Sequence, residues 1–259
     1  VRLTFLGTGT SFGIPVVGCN CATCTSRDPR DRRTRHGALL ELDGGTLLVD
    51  TPPELRLQLV AAGVERVNAV WFTHVHADHV HGIDDLRVFT TRYREDLEAW
   101  APEGMEEELH RRFPYIFDPM VRPVAGTSKP EIRLHTLRDQ VPVQILGREF
   151  LPLAVPHGPL SVLGFRTGSL GYITDGKRLP PETLASLQGV EVLVLNALWW
   201  GNPHPTHFNV EEAVAAARAV GARTTYLTHL THRVLHQDLL DRLPSDIRPA
   251  YDGLVVEID

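Results

Sequence analysis

The sequence predicts an α/β fold, a pair of mixed β-sheets flanked by helices, and three observations carry the prediction. Apolar runs of strand length recur along the whole chain, and several are followed by patterns with a helical period. Neighbouring runs occur both as hairpins and as strand–helix units, which suits mixed sheets better than a purely parallel barrel. The length of 259 residues, 42% hydrophobic, suffices for one large domain over 1–259, because such folds commonly reach about 250 residues undivided.

Taken in order, strands are expected at "RLTFLG" (2–7), "ALLELD" (38–43), "TLLVD" (46–50) and "AVWFTH" (69–74). Further runs are "EFLPLAV" (149–155), "VLGFRT" (162–167), "LGYITD" (170–175), "VEVLVLN" (190–196), "TTYLTH" (224–229) and "GLVVEI" (253–258). Helical patterns are "PELRLQLVAAG", "GMEEELHRRF", "PETLASLQG", "NVEEAVAAARAVG" and "HQDLLDRL", each ending near a Gly or Pro. Residues 114–147 are rich in Pro and Gly and read as loop and short strands inserted near a site.

Several function classes are disfavoured. No run approaches the roughly 18 apolar residues that cross a bilayer, and "VRLTFLGTGT" lacks the apolar core and cleavage site of a secretory signal, so a cytoplasmic protein without a membrane partner is expected. A net charge of −6 and a pI near 6.1 give no overall footprint of a nucleic-acid binder. The local exception is "SRDPRDRRTRH", with Arg27, Arg30, Arg32, Arg33 and Arg35 against Asp28 and Asp31. It reads as a solvated face, with phosphate contact as the alternative. The three cysteines, Cys19, Cys21 and Cys24, are an odd, tight cluster. That argues against a disulfide framework and for metal binding, one ligand short of a closed tetrahedral site.

The densest chemistry is "THVHADHVHG" at 73–82, with His74, His76, Asp78 and His79 following a buried strand. Imidazoles at i and i+2 on an extended stretch project from the same side, and the turn after them brings a carboxylate and another imidazole toward a second point about 3.5 Å away. One loop can therefore serve two metals. His81, just beyond, reads as a capping or surface residue, and His36, His110, His135 and His236 have no partner pattern.

This H-x-H-x-D-H pattern resembles the metallo-β-lactamase superfamily, whose αββα four-layer sandwich carries a dinuclear site along one edge. The resemblance runs from the first strand to the last. It implies His157 in "AVPHGPLSVLGF", Asp175 in "GYITDG" and His229 in "TYLTHL" as the later ligands. One divalent metal, zinc or manganese, would be held by His74, His76 and His157. The other would be held by Asp78, His79 and His229, with Asp175 bridging. Asp50 in "LLVDTPPE" matches the buried aspartate that orients a ligand histidine.

Within that superfamily, "FLGTGTSFGIPVVGCNCATC" resembles the branch of phosphoribosyl cyclic phosphate phosphodiesterases. The resemblance implies a structural zinc on Cys19, Cys21 and Cys24, with His232 in "THLTH" as fourth ligand in preference to His36 or His236. It also implies His207 in "NALWWGNPHPTHFNVEEA" as general acid, with His204 as the alternative. Trp199 and Trp200 would cover a sugar or base, or anchor the loop as buried aromatics.

Two cations sharing a water lower its pKa enough to supply hydroxide at neutral pH and neutralise charge on a phosphoryl oxygen. The expected activity is thus hydrolysis of a small cyclic phosphate or nucleotide-type phosphodiester by a metal-bridging hydroxide, with Asp78, Asp175 and His207 as catalytic residues. The alternatives are another hydrolase of this fold (a ribonuclease Z-like nuclease, a lactonase or a thioesterase) and, further off, a non-catalytic metal-binding adapter. A small phosphate ester is the expected partner, nucleic acid is not favoured, and a homodimer is open. The chain departs from the branch between Thr90 and Val155, where "RRFPYIFDPMVRPVAGTSKPE" would border the cleft.

Overall fold

In the computed structural model, which describes residues 1–259, the apolar runs sort into two seven-stranded sheets. The first half of the chain supplies β1 (Arg2–Gly7), β2 (Gly37–Leu42), β3 (Gly45–Val49), β4 (Ala69–Trp71), β5 (Leu97–Pro102) and β6 (Ile132–Leu137). The second supplies β7 (Val143–Ile145), β8 (Arg148–His157), β9 (Leu160–Thr167), β10 (Leu170–Tyr172), β11 (Val192–Asn196), β12 (Thr224–Thr228) and β13 (Ile247–Pro249). A final strand, β14 (Val255–Glu257), crosses back to the first sheet and pairs antiparallel with β1, Leu3 opposite Val256.

The two sheets repeat one plan. In the first, β14, β1, β2 and β3 are antiparallel and β3 to β6 parallel; in the second, β7 to β10 are antiparallel and β10 to β13 parallel. Parallel neighbours need a crossover. The helices that supply these are α1 (Leu55–Ala61), α2 (Ala77–Val80), α3 (Arg87–Tyr93), α4 (Met105–Arg112), α5 (Pro114–Phe117), α6 (Pro181–Leu187), α7 (Val210–Val220) and α8 (His236–Arg242).

Three apolar clusters define four layers. The sheets meet through Leu3, Leu40, Trp71, Phe150, Phe165 and Val194. Trp71 lies edge-on to Phe165, ring centroids 5.0 Å apart, and its buried Nε1–H donates to the Leu163 carbonyl at 2.9 Å. The first sheet's outer face packs Leu48, Val70 and Ala99 against Leu55 and Leu59 of α1 and Leu109 of α4. The second sheet's outer face packs Leu193, Leu195 and Leu227 against Leu187, Ala213 and Leu239 of α6, α7 and α8. Gly164 of β9 allows a close approach, since a Cβ there would lie 2.3 Å from the Tyr172 carbonyl oxygen.

All ten expected strands form, and β5, β6, β7 and β13 are additional. The segment 114–147 is loop with short strands, as its composition predicts, with α5 as an addition; β6 pairs beside β5 and β7 beside β8. No helix is long and apolar enough to cross a membrane.

Candidate metal centre

The sequence motif leaves β4 and ends in α2, so His74 and His76 lie on extended chain and Asp78 and His79 on the helix. The other sheet contributes His157 from the end of β8, Asp175 from the turn after β10 and His229 from the residue after β12. All seven come together at one edge of the sandwich, outside the carboxyl ends of the parallel strands, where such sheets bind ligands. Asp50, Asp175 and His229 each adopt a left-handed backbone, with φ of 62°, 54° and 57°. That conformation is uncommon outside glycine and occurs where the surroundings over-determine it.

Two donor sets form. In one, His74 Nε2 is 3.0 Å and His157 Nε2 3.3 Å from His76 Nδ1. A cation about 2.0 to 2.1 Å from each nitrogen would set two nitrogens about 2.9 Å apart at a right angle and about 3.4 Å apart at a tetrahedral angle. In the other, Asp78, His79 and His229 place their ligand atoms within 4.8 Å of one another. Asp175 stands between: its Oδ2 is 3.9 Å from His74 Nε2, 3.5 Å from His79 Nε2 and 3.3 Å from His229 Nε2.

The rings are held from behind. Asp50 accepts from His79 Nδ1–H at 2.6 Å and is fixed by the Thr73 amide and hydroxyl, each at 2.8 Å. His157 Nδ1–H donates to the Thr206 carbonyl at 3.2 Å, and His74 Nδ1 is 3.0 Å from the Thr73 hydroxyl. These contacts turn Nε2 of His74, His79 and His157 inward as lone-pair donors. His79 Nε2 and both ring nitrogens of His229 are buried without a hydrogen bond. An unsatisfied buried polar atom costs about 1–3 kcal/mol. Orphaned nitrogens aimed at two carboxylates fit a divalent cation. Burial pushes the Asp175 carboxyl upward, but His229 and His79 outweigh it and hold it well below the usual carboxylate range. Burial likewise lowers His79, and Asp175, Asp50 and Asp78 outweigh that and raise it well above an ordinary histidine.

His207 reaches the same point. Its Nε2 is 3.2 Å from Asp175 Oδ2, its Nδ1 2.8 Å from the Thr206 hydroxyl, and its ring stacks on His229 with centroids 5.0 Å apart. Burial lowers its pKa, and Asp175 opposes this. His204 lies one step back, Nδ1 to Nδ1 3.3 Å from His207, with its ring edge-on to Trp199. The loop carrying both ends in a capping box: Asn209 Oδ1 accepts from the Glu212 amide at 2.8 Å, and Glu212 accepts from the Asn209 amide at 2.9 Å. Trp199 and Trp200 are half-buried and lie under the Arg233 and Arg242 guanidiniums, at 4.7 and 3.9 Å. They anchor the loop.

The cysteine cluster meets His232 across the fold. Nδ1 of His232 is 3.3 Å from Cys19 Sγ, 3.5 Å from Cys21 Sγ and 3.7 Å from Cys24 Sγ. A tetrahedral zinc, with Zn–S about 2.3 Å and Zn–N about 2.0 to 2.1 Å, would separate sulfur and nitrogen by about 3.6 Å, so the set fits that ion. The Cys24 amide holds the Cys21 thiol down at about 6, while burial pushes Cys24 up to about 11.

Three other residues depart from the sequence reading or were unassigned by it. Within the arginine run, Arg33 is fully buried, with Nη1 donating to the Thr8 hydroxyl and the Ala250 carbonyl, so the run is only partly a solvated face. Arg30 pairs with Asp28 and Arg35 with Glu54, leaving Arg27 and Arg32 exposed. His36 is fully buried beside His79 and His229, and His236 is buried against Arg33. Neither has a local sequence signal, because every partner is distant in the chain.

Comparison with known proteins agrees with this architecture. Residues 46–230 match the family model of the Beta-lactamase superfamily domain. A solved diphosphatase of the PhnP family superposes with a TM-score of 0.90 at 36% identity, covering 98% of this chain and 96% of that one. A relative from Porphyromonas gingivalis named octanoyltransferase is 36% identical over 261 residues, covering all of this chain and 52% of the relative, so the chain spans about half its length. A ribonuclease Z from a Mycobacterium species is 25% identical over 254 residues, 88% of this chain and 84% of the relative. The chain belongs to the beta-lactamase superfamily, with the metallo-β-lactamase fold and similarity to a PhnP-family diphosphatase.

Proposed function

We propose that the chain is a phosphodiesterase that uses two divalent cations, zinc or manganese, to hydrolyse a small cyclic phosphate or nucleotide-type phosphodiester. The observation that carries the reading is the place of Asp175. Its Oδ2 stands within 3.9 Å of His74, His79, His207 and His229, between two complete donor sets. His74, His76 and His157 would hold one cation, Asp78, His79 and His229 the other, and Asp175 both. When bound, the cations acidify water and neutralise charge on a phosphoryl oxygen.

The chain's own residues supply the rest. As the ester P–O bond breaks, the leaving oxygen takes the proton from His207 Nε2. The Thr206 hydroxyl holds the other ring nitrogen, and the capped start of α7 fixes the loop. Lys177 ties that cap to the Asp175 turn through Glu212, at 2.6 and 2.7 Å. The Cys19, Cys21, Cys24 and His232 set would hold a closed structural zinc, which has no open position for substrate.

A second reading within the same chemistry is cleavage of a diphosphate, supported by the 36% identical diphosphatase. Ribonuclease action is less well supported, since the arginine run offers few free cations. The octanoyltransferase name belongs to a relative of twice the length, and acyl transfer through a thiol is disfavoured because all three cysteines face His232.

The test is a screen of the metal-loaded protein on bis(p-nitrophenyl) phosphate, cyclic nucleotides, cyclic ribose phosphates and dinucleoside diphosphates. Turnover of at least one class, abolished in a folded Asp175→Ala variant, is expected. Full turnover by that variant would remove the basis of the reading.

A further inference from the structure

Most ligand histidines here have a hydrogen bond behind the ring. His79 has Asp50, His157 has the Thr206 carbonyl and His74 has the Thr73 hydroxyl. His229 has none, although it is buried and its backbone is in the left-handed region. A ligand ring ordinarily takes its orientation from such a bond. Packing must therefore orient His229, and three imidazoles surround it: His207 stacked at 5.0 Å, His79 stacked at 6.0 Å and His36 edge-on at 6.0 Å.

His207 belongs to the cleft and His79 to the donor set itself. His36 belongs to neither. It is 0% exposed at the start of β2, its ring 5.7 Å from that of His79 as well. Its two nitrogens are both engaged: Tyr172 Oη is 2.6 Å from Nε2, and Thr228 Oγ1 is 3.2 Å from Nδ1. Tyr172 is fully buried and its hydroxyl has no other partner, so Oη–H donates to Nε2. Nδ1 of His36 then carries the ring proton and donates to Thr228, the residue before His229.

We infer that His36 is a positioning residue, an imidazole wedged between the start of β2 and the end of β12 that fixes Thr228 and the ring of His229 and thereby completes the Asp78, His79 and His229 donor set. The inference rests on the two-cation reading above.

Manganese titration followed by electron paramagnetic resonance, which counts free ion and detects spin coupling between paired ions, tests it without using activity. The wild type is expected to take up two manganese ions per chain in the histidine cluster. In His36→Ala, one of the two should bind about 10- to 100-fold more weakly, the range for losing a group that supports a ligand, and the coupled signal should fade. The other ion should keep its affinity. His36→Asn, which retains an N–H able to reach Thr228, should recover part of the loss, and serves alone should the alanine variant not fold. Unchanged affinity for both ions in a folded variant, or equal weakening of both, overturns the role of His36. A wild type that binds one ion or none in the cluster overturns the two-cation reading itself.

Discussion

Cys21→Ser tests how the fold uses its cysteines, and its expected size can be worked from the structure. A zinc on Cys19, Cys21, Cys24 and His232 closes a loop of 208 residues between Cys24 and His232. Treated as a cross-link on the unfolded chain, a loop of that length contributes about 5 kcal/mol at 25 °C. With an unfolding entropy of about 2.1 cal/mol/K per residue, a chain this long should then melt about 10 °C lower when the link is lost. After the histidine cluster is loaded with manganese, zinc content reports the cysteine set alone, and circular dichroism gives the melting temperature. Cys21→Ser should lose one zinc and most of those degrees. His232→Ala should do the same, and the double variant should lose no more than either single one, since the first change already opens the loop. Val17→Ser, fully exposed on the same loop, is the control and should melt as wild type. If Cys21→Ser keeps its zinc and melts within a degree or two of wild type, the four residues do not form a structural metal site.

Two other perturbations follow. His207→Ala should lower kcat by about 10² to 10⁴ on substrates with poor leaving groups and far less on p-nitrophenyl esters, which leave unassisted; equal losses on both would mean that His207 positions rather than protonates. Burial, together with Arg33 and Arg30, lowers His236 from 6.5 to about 4 in the folded protein, so it is neutral when folded and charged when unfolded between those values. Its contribution is thus fully present above about pH 6.5 and is lost as pH falls toward about 4, roughly 2 kcal/mol between pH 7 and pH 5. Urea melts of wild type and His236→Asn at both pH values check this, and an equal loss in the two proteins would refute it.

The candidate ligands were legible because four of them fall within six residues and the others follow recognisable strands. Local density is what a sequence displays. The strands that were not individually located lack it in different ways. β5 buries Leu97, Ala99 and Ala101 on one side, and alanine has little strand preference. β6 is an edge strand with a single fully buried residue, Leu137. β13 is three residues long and contains Pro249. His36 was invisible for a further reason: its partners Tyr172 and Thr228 are 136 and 192 residues away. Arg33 was read with its neighbours as surface charge, because only the folded chain brings Thr8 and the Ala250 carbonyl to its guanidinium.

The left-handed backbone at His229 bears on how this protein can be engineered. Without a cation the residue combines a disfavoured φ with a ring that has no hydrogen bond, a cost of about 1–2 kcal/mol for the backbone alone. Asparagine tolerates that conformation more readily. A library screened for heat resistance in chelator would therefore enrich His229→Asn and similar replacements, clones that survive heating and, on the proposed function, no longer turn over substrate. On the two-cation reading, selection for robustness has to be run with metal present, where Nε2 would be occupied and His229 would no longer be the weak point of the fold.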